Sequence, residues 1–211
     1  MLVNPPKGPA KAGVVLVPKR FAVDKAVLHS AQGIAATGFA VEVVELARQP
    51  RTLENVTLRE INDAVPTVRD AARRMRRALN GKKVGGVGAW LGGTVLLLAC
   101  DAEFDACAVV CPFLRLQVGQ PKGFRQPLEM VRSARAPILA VFGELDGEVP
   151  IEDVRTLEKV LSASPETDES YTYPGVGHAF FDKEEGNTEY LEPAERDLWM
   201  RMDRFFAHRM G

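Results

Sequence analysis

Three short segments carry residue types that could cleave an acyl bond, and their order along the chain matters. In the first, Gly88-Ala89-Trp90-Leu91-Gly92-Gly93, glycines stand two places either side of Trp90. That spacing marks a sharp strand-to-helix elbow, where small residues let two backbones approach and the central side chain is presented at the end of a sheet. A serine or cysteine there attacks a carbonyl; an indole has no atom to attack with. The second segment, Gly143-Glu144-Leu145-Asp146-Gly147-Glu148-Val149-Pro150, runs an apolar strand into a carboxylate and a turn. The third, Tyr173 to Phe181, places His178 in a glycine-flanked loop beside aromatic residues. A histidine oriented by a carboxylate is a general base, and the order nucleophile position, acid, histidine is that of one known type of triad.

Each of these residues also has a plain structural reading. Asp146 followed by Gly147 suits a turn, and His178 could be an ordinary loop histidine. The three segments in order favour the acid and base positions. His29 and His208 fall on helices and are expected at the surface. Cys111 ends a strand that should finish at the same sheet edge, which makes it a candidate substitute nucleophile, although a strand-end cysteine equally suits core packing. No close ligand spacing supports a metal site built from His178, Asp146 and Cys111, and no metal or cofactor is expected.

The elements that must position these residues follow from the apolar pattern. Short apolar runs at Gly13 to Pro18, Phe39 to Leu46, Val84 to Ala89, Ala106 to Pro112, Pro137 to Gly143 and Glu169 to Tyr173 alternate with segments of helical period. This alternation predicts an α/β fold, a mostly parallel twisted sheet with helices on both faces. Asp24 caps a helix with Val27, Ala31, Ile34 and Ala35 on one face, ended by Gly38. A second helix is expected from about Val65, with Val68, Ala72, Met75 and Leu79 inward and Arg69, Arg73, Arg74, Arg76 and Arg77 on a solvated face. Further helices are expected from Gly92 to about Asp101, after Pro150, and from Ala194 to Arg209. The irregular stretch Phe113 to Gln126 leaves a strand end, where open α/β sheets bind ligands, so it is a candidate rim or lid.

Composition limits the remaining choices. The chain has 211 residues, 46% of them hydrophobic, which suits a single domain spanning 1–211. A net charge of -1 gives no reason to expect nucleic acid or an anionic membrane as partner. The first residues lack a signal-peptide pattern and no apolar run reaches membrane-spanning length, so a cytoplasmic protein is expected, monomer or homodimer. Three cysteines, an odd number in apolar surroundings, fit reduced thiols.

The combination resembles the dienelactone hydrolase family, a branch of the α/β-hydrolase fold with no large cap domain and a cysteine in a G-x-C-x-G-G elbow. The likeness runs over nearly the whole chain, through Gly38-Phe39, Gly88 to Gly93, Gly143 to Pro150, Tyr173 to Phe181 and a closing helix with Trp199 and Phe205-Phe206. It implies that Trp90 stands at the cysteine position, Asp146 at the acid and His178 at the base. It also implies an oxyanion hole made by the backbone N–H groups of Leu91 and Arg20. Two further positions depart from family members active on dienelactone. Lys19 replaces a glutamate that helps activate the cysteine, and Asp182 replaces an arginine that holds the substrate carboxylate. Lys19, Cys111 and Phe180 are the pocket candidates.

Three roles are compatible with these residues. Loss of the nucleophile predicts impaired or absent ester or lactone hydrolysis, leaving the binding of a small-molecule ester, lactone or apolar ligand. Hydrolysis could instead use a water activated by His178, or Cys111. A third role is non-hydrolytic proton transfer by Asp146 and His178.

Overall fold

The computed structural model describes residues 1–116, 125–163 and 168–211. Seven strands form one sheet: β1 (Leu2–Val3), β2 (Gly13–Val17), β3 (Ala40–Val43), β4 (Val84–Ala89), β5 (Ala106–Val110), β6 (Ile138–Gly143) and β7 (Glu169–Tyr173). Their order is β1-β3-β2-β4-β5-β6-β7, with β1 antiparallel to β3 and every other pairing parallel. The helices are α1 (Lys25–Ala36), α2 (Leu58–Ala78), α3 (Trp90–Ala99), α4 (Pro127–Met130), α5 (Ile151–Ser162) and α6 (Glu192–Met210), with a 3-10 turn at Val131–Ser133 after α4.

Adjacent residues of a strand point to opposite faces, and β4 uses this with two glycines. A Cβ on Gly85 would strike Phe206 and Met210 of α6, whereas one on Gly86 would strike Leu96 of α3. Helices α3 and α6 thus cover opposite faces. Helix α2 packs beside α3, and α1 shares a groove with α6. Strands β2, β5 and β6 are buried along their whole length, as continuous apolar runs predict.

Several boundaries differ from the sequence-based expectation. Helix α2 begins at Leu58 rather than near Val65, although Pro66 lies inside it. Thr57 and Glu60 close a capping box at its start, and Leu58, Ile61 and Ala64 are buried in its first turns. These contributions offset the one backbone bond that the exposed Pro66 removes. Strand β3 stops at Val43 because the chain then turns away, with Leu46 and Ala47 donating to the Phe21 carbonyl. Helix α3 begins at Trp90 and ends at Ala99, and β1 and α4 are additional elements. Four of the five arginines expected on the solvated face of α2 form ion pairs: Arg69 with Asp101, Arg73 with Asp70 and Glu103, Arg74 with Glu42, and Arg76 with Asp105. Within the suggested lid, residues 117–124 lie outside the described residues. No helix among the described residues is long and apolar enough to cross a membrane.

Candidate active site

The elbow is held in shape by its glycines. A Cβ on Gly88 would lie 2.7 Å from the backbone of Gly92, and one on Gly92 would lie 2.4 Å from the Val17 carbonyl oxygen. Neither neighbour is a flexible side-chain tip, so both positions require glycine. Between them Trp90 adopts φ 48°, a left-handed conformation uncommon for a bulky residue. The strained backbone of a nucleophile elbow is therefore present. The Thr94 hydroxyl secures it, 3.0 Å from the Trp90 carbonyl oxygen while accepting the Phe113 N–H at 2.8 Å.

The acid loop approaches the histidine loop just as closely. A Cβ on Gly143 would meet the carbonyl oxygens of Val176 and Gly177 at 2.4 and 2.5 Å. Asp146 then does two jobs. Its Oδ1 accepts the N–H groups of Glu148 (2.8 Å) and Val149 (2.9 Å), the turn that the sequence allowed. Its Oδ2 lies 2.7 Å from His178 Nδ1, the pairing a triad needs. Asp146 thus closes the turn and contacts His178 with different oxygens of one carboxylate.

His178 is buried and has four close side-chain neighbours. The Trp90 indole stacks over the imidazole at 5.1 Å and 11°, and Phe113 stacks at 5.6 Å and 30°. Asp146 holds Nδ1, while Nε2 faces Glu148 with 3.8 Å to its Oε2. The Trp90 N–H points to the His178 carbonyl oxygen at 3.4 Å. The indole therefore lies against the His178 ring, and only 8% of Trp90 is exposed. Outside this cluster the histidine loop is tied by Glu189, which accepts the Ala179 N–H. Asn187 donates to the carbonyls of Ala179 and Asp182. Sequence reading missed Glu148, Asn187 and Glu189; the carboxylate two places past Asp146 was the available signal for the first.

Lys19 and Asp182, taken singly, are two reversed charges. In the structure they meet, Lys19 Nζ to Asp182 Oδ2 at 2.5 Å, with both side chains buried. Arg20 pairs with Glu184 at 3.0 Å alongside. Lys19 and Arg20 also lie over the Trp90 ring, 5.1 and 5.4 Å from its centroid. The loop after β2 and the loop after His178 are thus clasped over the indole. Asp182 serves this clasp, and it is Glu148 that faces the imidazole.

Two pocket candidates, Phe180 and Cys111, do not line the cavity beside the imidazole. Phe180 is fully buried between Tyr173 and Phe181, so it is a core residue. Cys111 is fully buried with φ 44°, and burial first, then the neighbouring Asp146 carboxylate, raises its thiol well above the ordinary range. The donor atoms of Cys111, Asp146 and His178 do lie within 4.8 Å of one another. A metal there would need the thiolate, which this environment disfavours, and would displace bonds that already satisfy Asp146. All three cysteines are free and buried.

A cavity of about 490 Å³ opens over this cluster, lined by Lys19, Arg20, Trp90, Leu91, Phe113, Glu148 and His178 among others. Leu91 is the second residue of α3, so its N–H has no acceptor within the helix. Arg20 sits at a turn closed by the Phe21 N–H on the Pro18 carbonyl, and it too lines the cavity. A larger cavity of about 740 Å³ lies between α1 and α6, beyond Lys19 and Phe181, and contains none of Trp90, Asp146 or His178. Trp90 and His178 line the smaller one, and Lys19 lines both.

A seven-stranded, mostly parallel sheet with an elbow, an acid loop and a histidine loop at one edge defines the α/β-hydrolase class. A profile of the dienelactone hydrolase family matches residues 1–210, and the chain belongs to that family. It is 26% identical over 210 residues to a Yersinia pestis protein named "Putative carboxymethylenebutenolidase", covering 92% of this chain and 78% of that one. An Escherichia coli O157:H7 protein of the same name is 33% identical over 87 residues, 41% of this chain. That match spans only 31% of the E. coli protein. Among solved structures, a Klebsiella pneumoniae "Putative Dienelactone Hydrolase" superposes with a TM-score of 0.80 at 22% identity, covering 98% of this chain and 91% of that one. Thermogutta terrifontis esterase 2 gives 0.75 at 16% identity, covering 98% and 88%. At these identities the structures establish a shared fold.

Proposed function

We propose that this chain is a small-molecule-binding member of the family in which hydrolysis through an acyl-enzyme is lost. One observation carries the reading: the elbow residue is an indole stacked on the imidazole that would otherwise activate a nucleophile. Covalent catalysis needs an attacking atom at that point. The cavity that remains combines aromatic walls from Trp90 and Phe113 with cations from Lys19 and Arg20. This suits a small planar ester, lactone or related ligand. Cys111 is a poor substitute nucleophile, being buried behind the Asp146 carboxylate and held as a thiol.

A second reading is favoured by the intact Asp146–His178 pair. With Nδ1–H donated to Asp146, Nε2 carries a lone pair at the cavity and can take a proton from water. The Leu91 and Arg20 N–H groups would then receive the developing oxyanion. This route forms no enzyme-bound acyl group.

Hydrolysis of a short p-nitrophenyl ester separates the two. Under the first reading the natural protein and His178→Ala are equally at background. Under the second, the natural protein exceeds His178→Ala by about 10²–10⁴-fold, the usual worth of a general base. A loss of turnover in Cys111→Ala, with the fold intact, would contradict both and restore the thiol.

A further inference from the structure

Resting on the water route just described, we infer that Glu148 holds the attacking water and is a catalytic residue of this site. His178 has two ring nitrogens, and each meets a carboxylate: Asp146 at Nδ1 and Glu148 at Nε2. The first contact, at 2.7 Å, is a hydrogen bond. The second, at 3.8 Å, is too long for one.

The chemistry of the two facing groups explains the gap. In the neutral tautomer whose Nδ1–H donates a hydrogen bond to Asp146, Nε2 is an acceptor, and the Glu148 carboxylate is an acceptor as well. Two acceptors do not bond to each other. A water molecule, with two O–H groups, can donate one to each with legs of about 2.8 Å. Both its protons are then engaged and its lone pairs point away from the two acceptors, free to attack. Trp90 and Phe113 both stack on the imidazole, and its Nε2 edge faces Glu148 at the cavity wall. Glu148 itself is half exposed, at the cavity wall, and can admit a substrate.

The step balances without any further reagent. The water oxygen bonds to the ester carbonyl carbon as one of its protons passes to Nε2. The resulting imidazolium is held by Asp146. Collapse of the tetrahedral species breaks the bond to the alkoxide, which takes the proton back from Nε2. Carboxylic acid and alcohol leave, and the imidazole is neutral again. In this scheme Glu148 substitutes for the positional role of the missing nucleophile: it fixes where the attacking oxygen sits.

The test compares p-nitrophenyl acetate hydrolysis by the natural protein, Glu148→Gln, Glu148→Ala, Glu148→Asp and His178→Ala, each with a pH profile. The exposed position of Glu148 makes folded variants the expected outcome, checked by thermal melting. The inference predicts that kcat falls at least tenfold in Glu148→Ala with KM little changed, and that Glu148→Asp recovers part of the loss. Glu148→Gln, whose amide can turn a donor toward the water, should fall between the natural protein and Glu148→Ala. Turnover that depends on His178 but is unchanged in Glu148→Ala would overturn the assignment while leaving the water route standing. Absence of any His178-dependent turnover in the natural protein would overturn both.

Discussion

The arm that carries Trp90 and the arm that carries Asp146 and His178 are built with equal backbone economy, yet only the second holds side chains suited to proton transfer. Both depend on glycines whose Cβ positions are occupied by backbone atoms: Gly88 and Gly92 in the elbow, Gly143 between the acid and histidine loops. In the elbow the strained φ of Trp90 and the free N–H of an early helical residue survive. Its central side chain is an indole, which carries no hydroxyl or thiol. The difference teaches that an elbow's shape is maintained by packing between strand and helix, independently of what its central side chain can do. A glycine pattern alone is therefore a statement about fold, and function must be argued from the side chain it presents.

The largest expected effect breaks the clasp that joins the two arms. Lys19→Met leaves Asp182 buried without its partner and should cost about 3–5 kcal/mol in chemical denaturation. Adding Asp182→Leu should recover most of that loss, because the pair is then replaced by apolar groups. A single variant as stable as the natural protein would mean that the clasp contributes nothing. Next comes the elbow itself: Gly92→Ala places a Cβ 2.4 Å from the Val17 carbonyl oxygen and should destabilise by about 3 kcal/mol or more. Equal stability would show that the elbow can relax and that its tight backbone is not required.

The smallest effect concerns the strand that leads into the histidine loop. Tyr173 donates to Asp197 of α6 at 2.8 Å, and that bond, with Arg201, holds the Asp197 carboxyl below its ordinary range. A depressed carboxyl contributes stability above its unfolded pKa and loses it as pH falls through the folded one. The stability gap between the natural protein and Asp197→Asn should thus be present at neutral pH and close below about pH 3.8. A gap that does not change with pH would place the effect in packing instead.

Much of the frame was legible in the sequence because continuous apolar runs and capping residues act locally. Six strands and the order of the three site segments follow from such signals. The start of α2 was also readable, from Thr57 and Glu60 at capping-box spacing, seven residues before the expected beginning near Val65. What could not be read depends on pairs far apart in the chain. Lys19 and Asp182 look like two separate charge reversals until the fold brings them together. Phe180 and Cys111 have residue types suited to a pocket, and only their burial shows that they are core. The direction of the Trp90 ring and the place of Glu148 at Nε2 depend on three loops meeting, which no periodicity encodes.

The central claim is that no covalent intermediate forms at position 90, and intact-mass measurement after incubation with an activated organophosphate ester tests it directly. The account predicts an unmodified mass for the natural protein and, where the rest of the site is competent, an adduct in Trp90→Ser. A stoichiometric adduct on the natural protein that disappears in His178→Ala would contradict it.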